Sequence, residues 1–424
     1  MNWNKIKKAL GPGILFASTA IGVSHLVQST RAGANYGFTL LFIVVITNIL
    51  KFPFFEYGAR YANATGETLI DGYKRLGKFA LWMYFIVTIA SMFFVSAAVG
   101  LVTAGFMDNL FGLSGLWPAF KSFPVVLVFL VCFSVLAFGK FNMLDSIIKV
   151  IGLLLFISTI AVFVLTLING QAARIESFVA PDLFDDTGIL FLIALMGWMP
   201  TALDLSTWIS LWTVEKIKST KYHPTLKETL FDFNLGYWIS AFLAICFLII
   251  GAYLVFGTGK TLPRDSVGFA SNIIGLYTTT IGNWSYLIIA ISSFSIMLGT
   301  SLGVFDGYAR TLQRTTKLLF SSNSRNDKKQ NYRQIYLGSL FILAIGSLSI
   351  SVFFRGQFKG LIDLATTISF LIAPLVAIAN FKLVSKIYIN KESTPKPFMK
   401  LISYLGILFL TGFALFYLYI QFLK

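Results

Sequence analysis

Two short stretches place reactive groups where a plain membrane anchor would have none. In Ala20-Ile-Gly-Val-Ser-His25, a glycine, a hydroxyl and an imidazole follow one another inside an apolar run. In Met196-Gly-Trp-Met-Pro-Thr201, glycine and proline interrupt a second run, with Asp204 one turn later. Proline removes a backbone donor and disrupts the preceding turn, and glycine tolerates unusual dihedrals, so both stretches free backbone N–H and C=O groups. In lipid such groups must be satisfied by protein, water or ligand, so broken helices persist where they line a cavity. Ionisable side chains within membrane runs are costly and read as functional; here they are Lys51, beside Asn48 and Pro53, together with Glu56, Asp204 and Asp306. Lys51 either lends positive potential to an anion path or pairs with Asp204 or Glu56. Glu56 with Arg60, and Asp306 with Arg310, are spaced i, i+4 on one helix face and read as local ion pairs, the second also as a gating contact. Asp204 is placed to touch the site, to carry a coupling ion, or to close a buried salt bridge.

The elements that hold these groups follow from composition. Of 424 residues, 56% are hydrophobic and 12% charged, against about 25% charged in soluble domains. A helix crosses a bilayer with ~20 mostly apolar residues. The apolar runs are approximately 12–32, 38–58, 80–106, 122–138, 145–168, 188–212, 233–256, 282–308, 335–353, 361–385 and 401–421, which predicts an all-α, multi-pass protein of the plasma membrane with about 11 transmembrane helices. The first run is not read as a cleaved leader, because Gly11-Pro-Gly13 interrupts it and its apolar character continues past Ala20.

The net charge of +16 is explained by placement. With the N-terminus in the cytoplasm, 25 of the 34 Lys and Arg fall on that side, among them Lys5, Lys7, Lys8, Lys140 and the cluster from Arg310 to Arg333. This is the positive-inside pattern. A nucleic-acid partner is not expected, since no loop joins a basic face to stacking aromatics. His223, in a Lys-rich loop, reads as solvated, and Cys132 and Cys246, both in apolar runs, as buried thiols rather than a disulfide.

The two breaks lie in runs one and six. Glycine and proline also serve close packing or a simple kink, but a five-helix offset makes the second unit enter the membrane from the opposite side. That is the arrangement of inverted repeats meeting at a midplane site. Residues 1–170 then form the first repeat, 171–388 the second, and 389–424 an additional eleventh helix.

At these residues the sequence resembles the Nramp family of divalent-metal transporters, which have the LeuT-type fold of 5+5 inverted repeats. The resemblance is carried by Gly11-Pro12, by Arg31-Ala-Gly-Ala-Asn-Tyr-Gly-Phe38, by Asn48 and Ala59-Arg60, and more weakly by Met199-Pro200 and Gly299-Thr300. The family's Asp-Pro-Gly-Asn of helix one corresponds to Gly22-Val23-Ser24-His25, so its metal-binding Asp becomes Gly22 and its Asn becomes His25. The helix-six His becomes Thr201, while the metal-contacting Met is kept as Met199. Between Leu81 and Phe106 the third helix has no acidic residue, which weakens proton coupling by the family's route. Thr300-Ser301 is similar to the paired hydroxyls that hold sodium in sodium-coupled members of the LeuT-type fold; such residues also serve as interhelical glue.

A substrate site of Gly22, Val23, Ser24, His25, Met196, Gly197, Met199 and Thr201 is thus expected, with Asp204, Thr300 and Ser301 as coupling-ion candidates. Hard dications want several oxygen ligands, usually with carboxylate, and transition metals a defined set of nitrogen, sulfur or carboxylate. One His, one Met and some carbonyls make a poor dication site, and a half-helix N-terminus with neutral donors suits a small oxyanion. The expected function is secondary active transport of a small inorganic anion such as bicarbonate, by symport with sodium or a proton. The alternatives are a divalent metal cation transporter for manganese, magnesium or iron, and a non-transporting membrane sensor or scaffold. No cofactor is expected, no P-loop is present, and no nucleophile with its base points to an enzyme.

Overall fold

The fold comes from a computed structural model that describes residues 8–423, apart from 118, 140, 261, 264 and 321–330. Lys5, Lys7, Lys140 and most of the basic loop before Arg333 therefore lie outside the described residues.

The described residues are mostly helical, with the longest connector, 170–185, between the two halves of the sequence. Helix one is split into α1 (Pro12–Ala20) and α2 (Thr30–Tyr36), joined by a π-helical segment, Val23–Ser29. There follow α3 (Leu41–Thr65), α4 (Leu69–Leu76), α5 (Lys78–Phe111), α6 (Leu113–Leu116), α7 (Phe123–Phe138) and α8 (Phe141–Asn169). Helix six is split into α9 (Asp186–Gly197) and α10 (Ser206–Thr220), with a 3-10 turn, Leu203–Leu205, between them. The remainder is α11 (Leu226–Leu254), α12 (Ser266–Ile281), α13 (Tyr286–Phe320), α14 (Asn331–Phe353), α15 (Phe358–Leu383) and α16 (Pro397–Leu423).

Among the described residues seven helices are long and apolar enough to cross a membrane: α3, α5, α11, α13, α14, α15 and α16. With α7, α8 and the two broken helices they account for the eleven expected crossings. Three helices, α4, α6 and α12, lie in connectors outside the expected runs, and local chemistry explains the two longer ones. Thr68 and Asp71 form a reciprocal capping box at α4, and the Asp265 carboxylate accepts the Gly268 N–H at 2.7 Å to start α12; such caps stabilise a short helix by about 1 kcal/mol.

Burial separates core from lipid face. α14 and α16 bury only 28% and 22% of their spanning windows, whereas α5 and α11 bury 67%. Phe42, Phe138, Phe341 and Leu408 stand exposed on the outside, as expected of side chains whose solvent is hydrocarbon. Helix one is fastened to α11 by backbone contact. A Cβ added at Gly236 would lie 1.9 Å from the Gly13 carbonyl oxygen, and one at Gly33 1.9 Å from that of Leu248. Small residues that let backbones touch are the usual device for membrane helix packing, where no hydrophobic drive operates between helices. The Asp232 carboxylate reinforces this seam by accepting the N–H groups of Gly11 and Gly13 at 3.0 and 2.6 Å, which neutralises the positive end of α1.

Candidate functional site

The break in helix one leaves carbonyls that polar side chains cover. α1 stops at Ala20, and Gly22 has φ −143° and ψ −118° before the π-helical segment begins. The Ser24 hydroxyl donates to Ala20 O at 2.6 Å. Thr300 of α13 approaches the same turn, its hydroxyl 3.1 Å from Ser18 O and 3.3 Å from Ile21 O. Gly22 packs against this threonine so closely that a Cβ would fall 2.5 Å from Thr300 Oγ1.

The break in helix six is treated differently. α9 ends at Gly197, the backbone unwinds through a cis Met199–Pro200 bond, and α10 resumes at Ser206. Three of the freed carbonyls receive one side chain. The Lys51 ammonium donates to Met196 O at 3.2 Å, Gly197 O at 3.0 Å and Thr201 O at 2.9 Å. Lys51 is fully buried and an ammonium has three donors, so every N–H has its acceptor. The sequence offered Asp204 or Glu56 as partner; the contacts are instead carbonyls, and Glu56 is engaged by Arg60 in the expected i, i+4 pair.

Between the two breaks lies a cavity of about 20 Å³, lined by Val23, Ser24, Trp198, Thr201 and Thr300 with Thr19, Val95 and Val99 among their neighbours. This is room for about one water molecule. His25 and Met199 are not among its lining residues. The imidazole turns to α11, with Nε2 2.9 Å from Ser240 O and Nδ1 2.7 Å from Ser24 Oγ. Met199 is packed in a separate apolar cluster with Tyr36, Leu40, Val44 and Phe191. Thr300 and Ser301 diverge, since Ser301 Oγ meets Thr103 Oγ1 at 2.8 Å. Among the described residues no group of three or more His, Cys, Asp and Glu is placed to hold a metal ion.

Two polar clamps bracket this cavity; the sequence reading missed the outer one, and at the inner one found the Asp306–Arg310 pair but not its further partners. On the outer side Arg31 of α2 grips Asp363 of α15 with two hydrogen bonds of 2.7 and 3.1 Å, Gln28 joins them, and the guanidinium lies 4.9 Å over the Phe191 ring. On the inner side Asp306 accepts from Arg310, from Trp212 Nε1 at 2.9 Å and from the Tyr336 hydroxyl at 2.8 Å, while Arg314 pairs with Asp71. Asp363 carries the readable signal, a charge inside the tenth apolar run; its partner Arg31, 332 positions away, could not be read from spacing. Because the outer pair is partly exposed it is worth about 1 kcal/mol. Asp363→Asn is expected to shift the open-to-closed ratio of the outer entrance about fivefold, measured as a longer-distance population between spin labels on α2 and α15. An unchanged distance distribution would show that the pair does not hold the entrance.

The arrangement is two unwound segments facing each other across a small cavity, each half-helix anchored to a neighbour, which is transporter architecture. Comparison with known proteins decides the family. The description "Natural resistance-associated macrophage protein-like", Nramp, matches residues 13–420. This chain belongs to the Nramp family. It is 33% identical to the uncharacterized protein PM0681 of Pasteurella multocida over 98% of this chain and 93% of that one. It is 26% identical to the divalent metal cation transporter MntH of Yersinia pestis over 72% of this chain and 74% of that protein. In fold it is similar to the manganese transporter of Eremococcus coleocola, with a TM-score of 0.70 at 15% identity, covering 98% of this chain and 86% of that one. A structure of MhsT in complex with L-phenylalanine is also similar, with a TM-score of 0.65 at 13% identity over 95% and 98% of the two chains. The fold is therefore the LeuT type, and this Nramp protein is a multi-pass membrane transporter rather than an enzyme.

Proposed function

We propose that the chain works by alternating access, helices one and six exposing the cavity between their breaks to each side in turn. The repeats are residues 1–170 and 171–388, with 389–424 appended. The cargo is a small inorganic ion, and the geometry favours an anion, bicarbonate being the first to test. One observation carries this: the ammonium of Lys51 is seated in the three carbonyls of the helix-six break. A fixed positive charge there substitutes for a bound cation and opposes a second one. At an effective dielectric constant near 20 an ammonium repels a dication ~6 Å away by roughly 5 kcal/mol, a repulsion that Asp204 offsets while it is ionised. Of the hydroxyls at the cavity, those of Ser24 and Thr300 already donate to helix-one carbonyls, which leaves that of Thr201 as the neutral donor for an oxyanion.

A divalent metal cation is the second reading, and on the comparisons alone it has the stronger support. The MntH proteins of Yersinia pestis and of Latilactobacillus sakei are divalent metal cation transporters by name, and Met199 is retained; neither bicarbonate nor sodium symport gains support from these relatives. The two readings separate in proteoliposomes. The anion reading expects uptake of labelled bicarbonate above that of protein-free vesicles and no manganese flux at millimolar supply. Manganese uptake without bicarbonate uptake overturns it in favour of the metal. Repeating the assay with and without a sodium gradient tests Thr300 and Ser301 as a coupling site.

A further inference from the structure

We infer that Asp204 is a proton-binding carboxyl that sets the charge of the midplane site; this deepens the transporter reading above and rests on it. Asp204 sits in the 3-10 turn just beyond the unwound segment and is 2% exposed. Its Oδ2 accepts from the Ser91 hydroxyl of α5 at 3.2 Å, and Ser91 Oγ accepts from the Tyr308 hydroxyl of α13 at 3.3 Å. Its Oδ1 accepts no well-formed hydrogen bond, the carboxylate being approached only by the turn's own backbone N–H groups, of Asp204 and Leu205, besides Ser91. Three other buried carboxylates are held by donors on both oxygens: Glu56 by Arg60, Asp306 by Arg310, Trp212 and Tyr336, Asp232 by two backbone N–H groups. An ionised oxygen left bare in the membrane interior is costly. A proton on Asp204 removes that charge without any new protein contact.

The groups packed around Asp204 define what the proton changes. Lys51 of α3 is within electrostatic reach, but its three N–H groups are held by carbonyls, so it compensates Asp204 through space and not by contact. Tyr84 of α5 bonds Thr207 at 2.5 Å, Tyr73 of α4 bonds Asn380 at 2.6 Å, and Tyr308 bonds Ser91, so these phenols add neutral dipoles. α15 contributes the amide of Asn380, which donates to Ser206 next to the turn. With Asp204 ionised, Lys51 and Asp204 sum to zero; with one proton taken up by the carboxylate, the site carries the full ammonium charge. An anion then binds with the proton and both leave together, the carboxyl returning to carboxylate. This is proton coupling through helix six, in a chain whose third membrane helix has no acid between Leu81 and Phe106.

The test is infrared difference spectroscopy of the full-length protein in lipid, acidified from neutral pH. A carbonyl stretch of a protonated carboxyl, shifted in heavy water, is expected in the wild type and is missing from Asp204→Asn. Ser91→Ala keeps the carboxyl and removes its donor, so the band persists at higher frequency. The same band in Asp204→Asn, or no band over the range in which the protein stays folded, overturns the proposal. This readout does not depend on which ion is carried. If the band is present in the wild type, absent in Asp204→Asn, and unmoved by added sodium bicarbonate, the proton site stands and the bicarbonate reading fails.

Discussion

Lys51→Met is expected to abolish bicarbonate uptake and to lower the melting temperature of the purified protein by several degrees. Methionine has nearly the length and volume of lysine, so packing in the core is preserved while the charge is removed. Three buried carbonyls, of Met196, Gly197 and Thr201, then lose the ammonium. A buried polar group left unsatisfied costs about 1 to 3 kcal/mol, and here the carbonyls of Gly197 and Thr201 are left without a donor, while Met196 O keeps the backbone N–H groups of Trp198 and Met199. The variant also exposes a cradle of carbonyls facing the protein interior, the kind of oxygen set that suits a monovalent cation. Calorimetric titration with sodium chloride should show binding in Lys51→Met and none in the wild type. Full bicarbonate flux in the variant would remove the ammonium from the account of selectivity and leave Lys51 as a structural prop.

Gly22→Asp tests the other break and is expected to be nearly as damaging. Its Cβ would fall 2.5 Å from Thr300 Oγ1 and 2.6 Å from Thr300 Cγ2, so helix one or α13 must shift, and overpacking of this kind costs about 1 to 3 kcal/mol. The carboxylate would add a negative charge to the cavity that Ser24 and Thr300 line. Gly22→Ala separates the two effects, because it brings the clash without the charge. Uptake of labelled bicarbonate should fall in Gly22→Ala, vanish in Gly22→Asp, and stay absent when Thr300→Ala restores space beside the aspartate. Manganese binding to that double variant is the expected gain. Unchanged bicarbonate flux in Gly22→Asp would mean that the cargo does not pass this turn.

Much of the architecture was readable before any coordinates, and the reason is the bilayer. Hydrocarbon enforces long apolar runs and forbids idle backbone groups, so Gly22, Gly197 and Pro200 stood out against their surroundings. Ion pairs one helical turn apart were equally readable, and Glu56 with Arg60 and Asp306 with Arg310 sit as their spacing required. α4 and α12 were missed because their stability lies in caps and tertiary contact rather than in a membrane-length apolar run.

Contacts between helices were beyond such reading. Lys51 could be matched only with other charges, since nothing in a sequence marks a carbonyl 145 to 150 residues away as an acceptor. His25 and Met199 are near the breaks in sequence, but the rotation of each segment turned one ring to Ser240 and one thioether into an apolar cluster. Asp204 was visible as an acid beside a break; its idle oxygen was not.

The sequence by itself determined that the chain spans the membrane eleven times with two interrupted helices, because lipid tolerates few ways to satisfy a backbone. Only the tertiary structure decided which side chains meet at those interruptions. Helix rotation and packing set that choice, and both depend on distant residues whose pairing leaves no periodic trace along the chain.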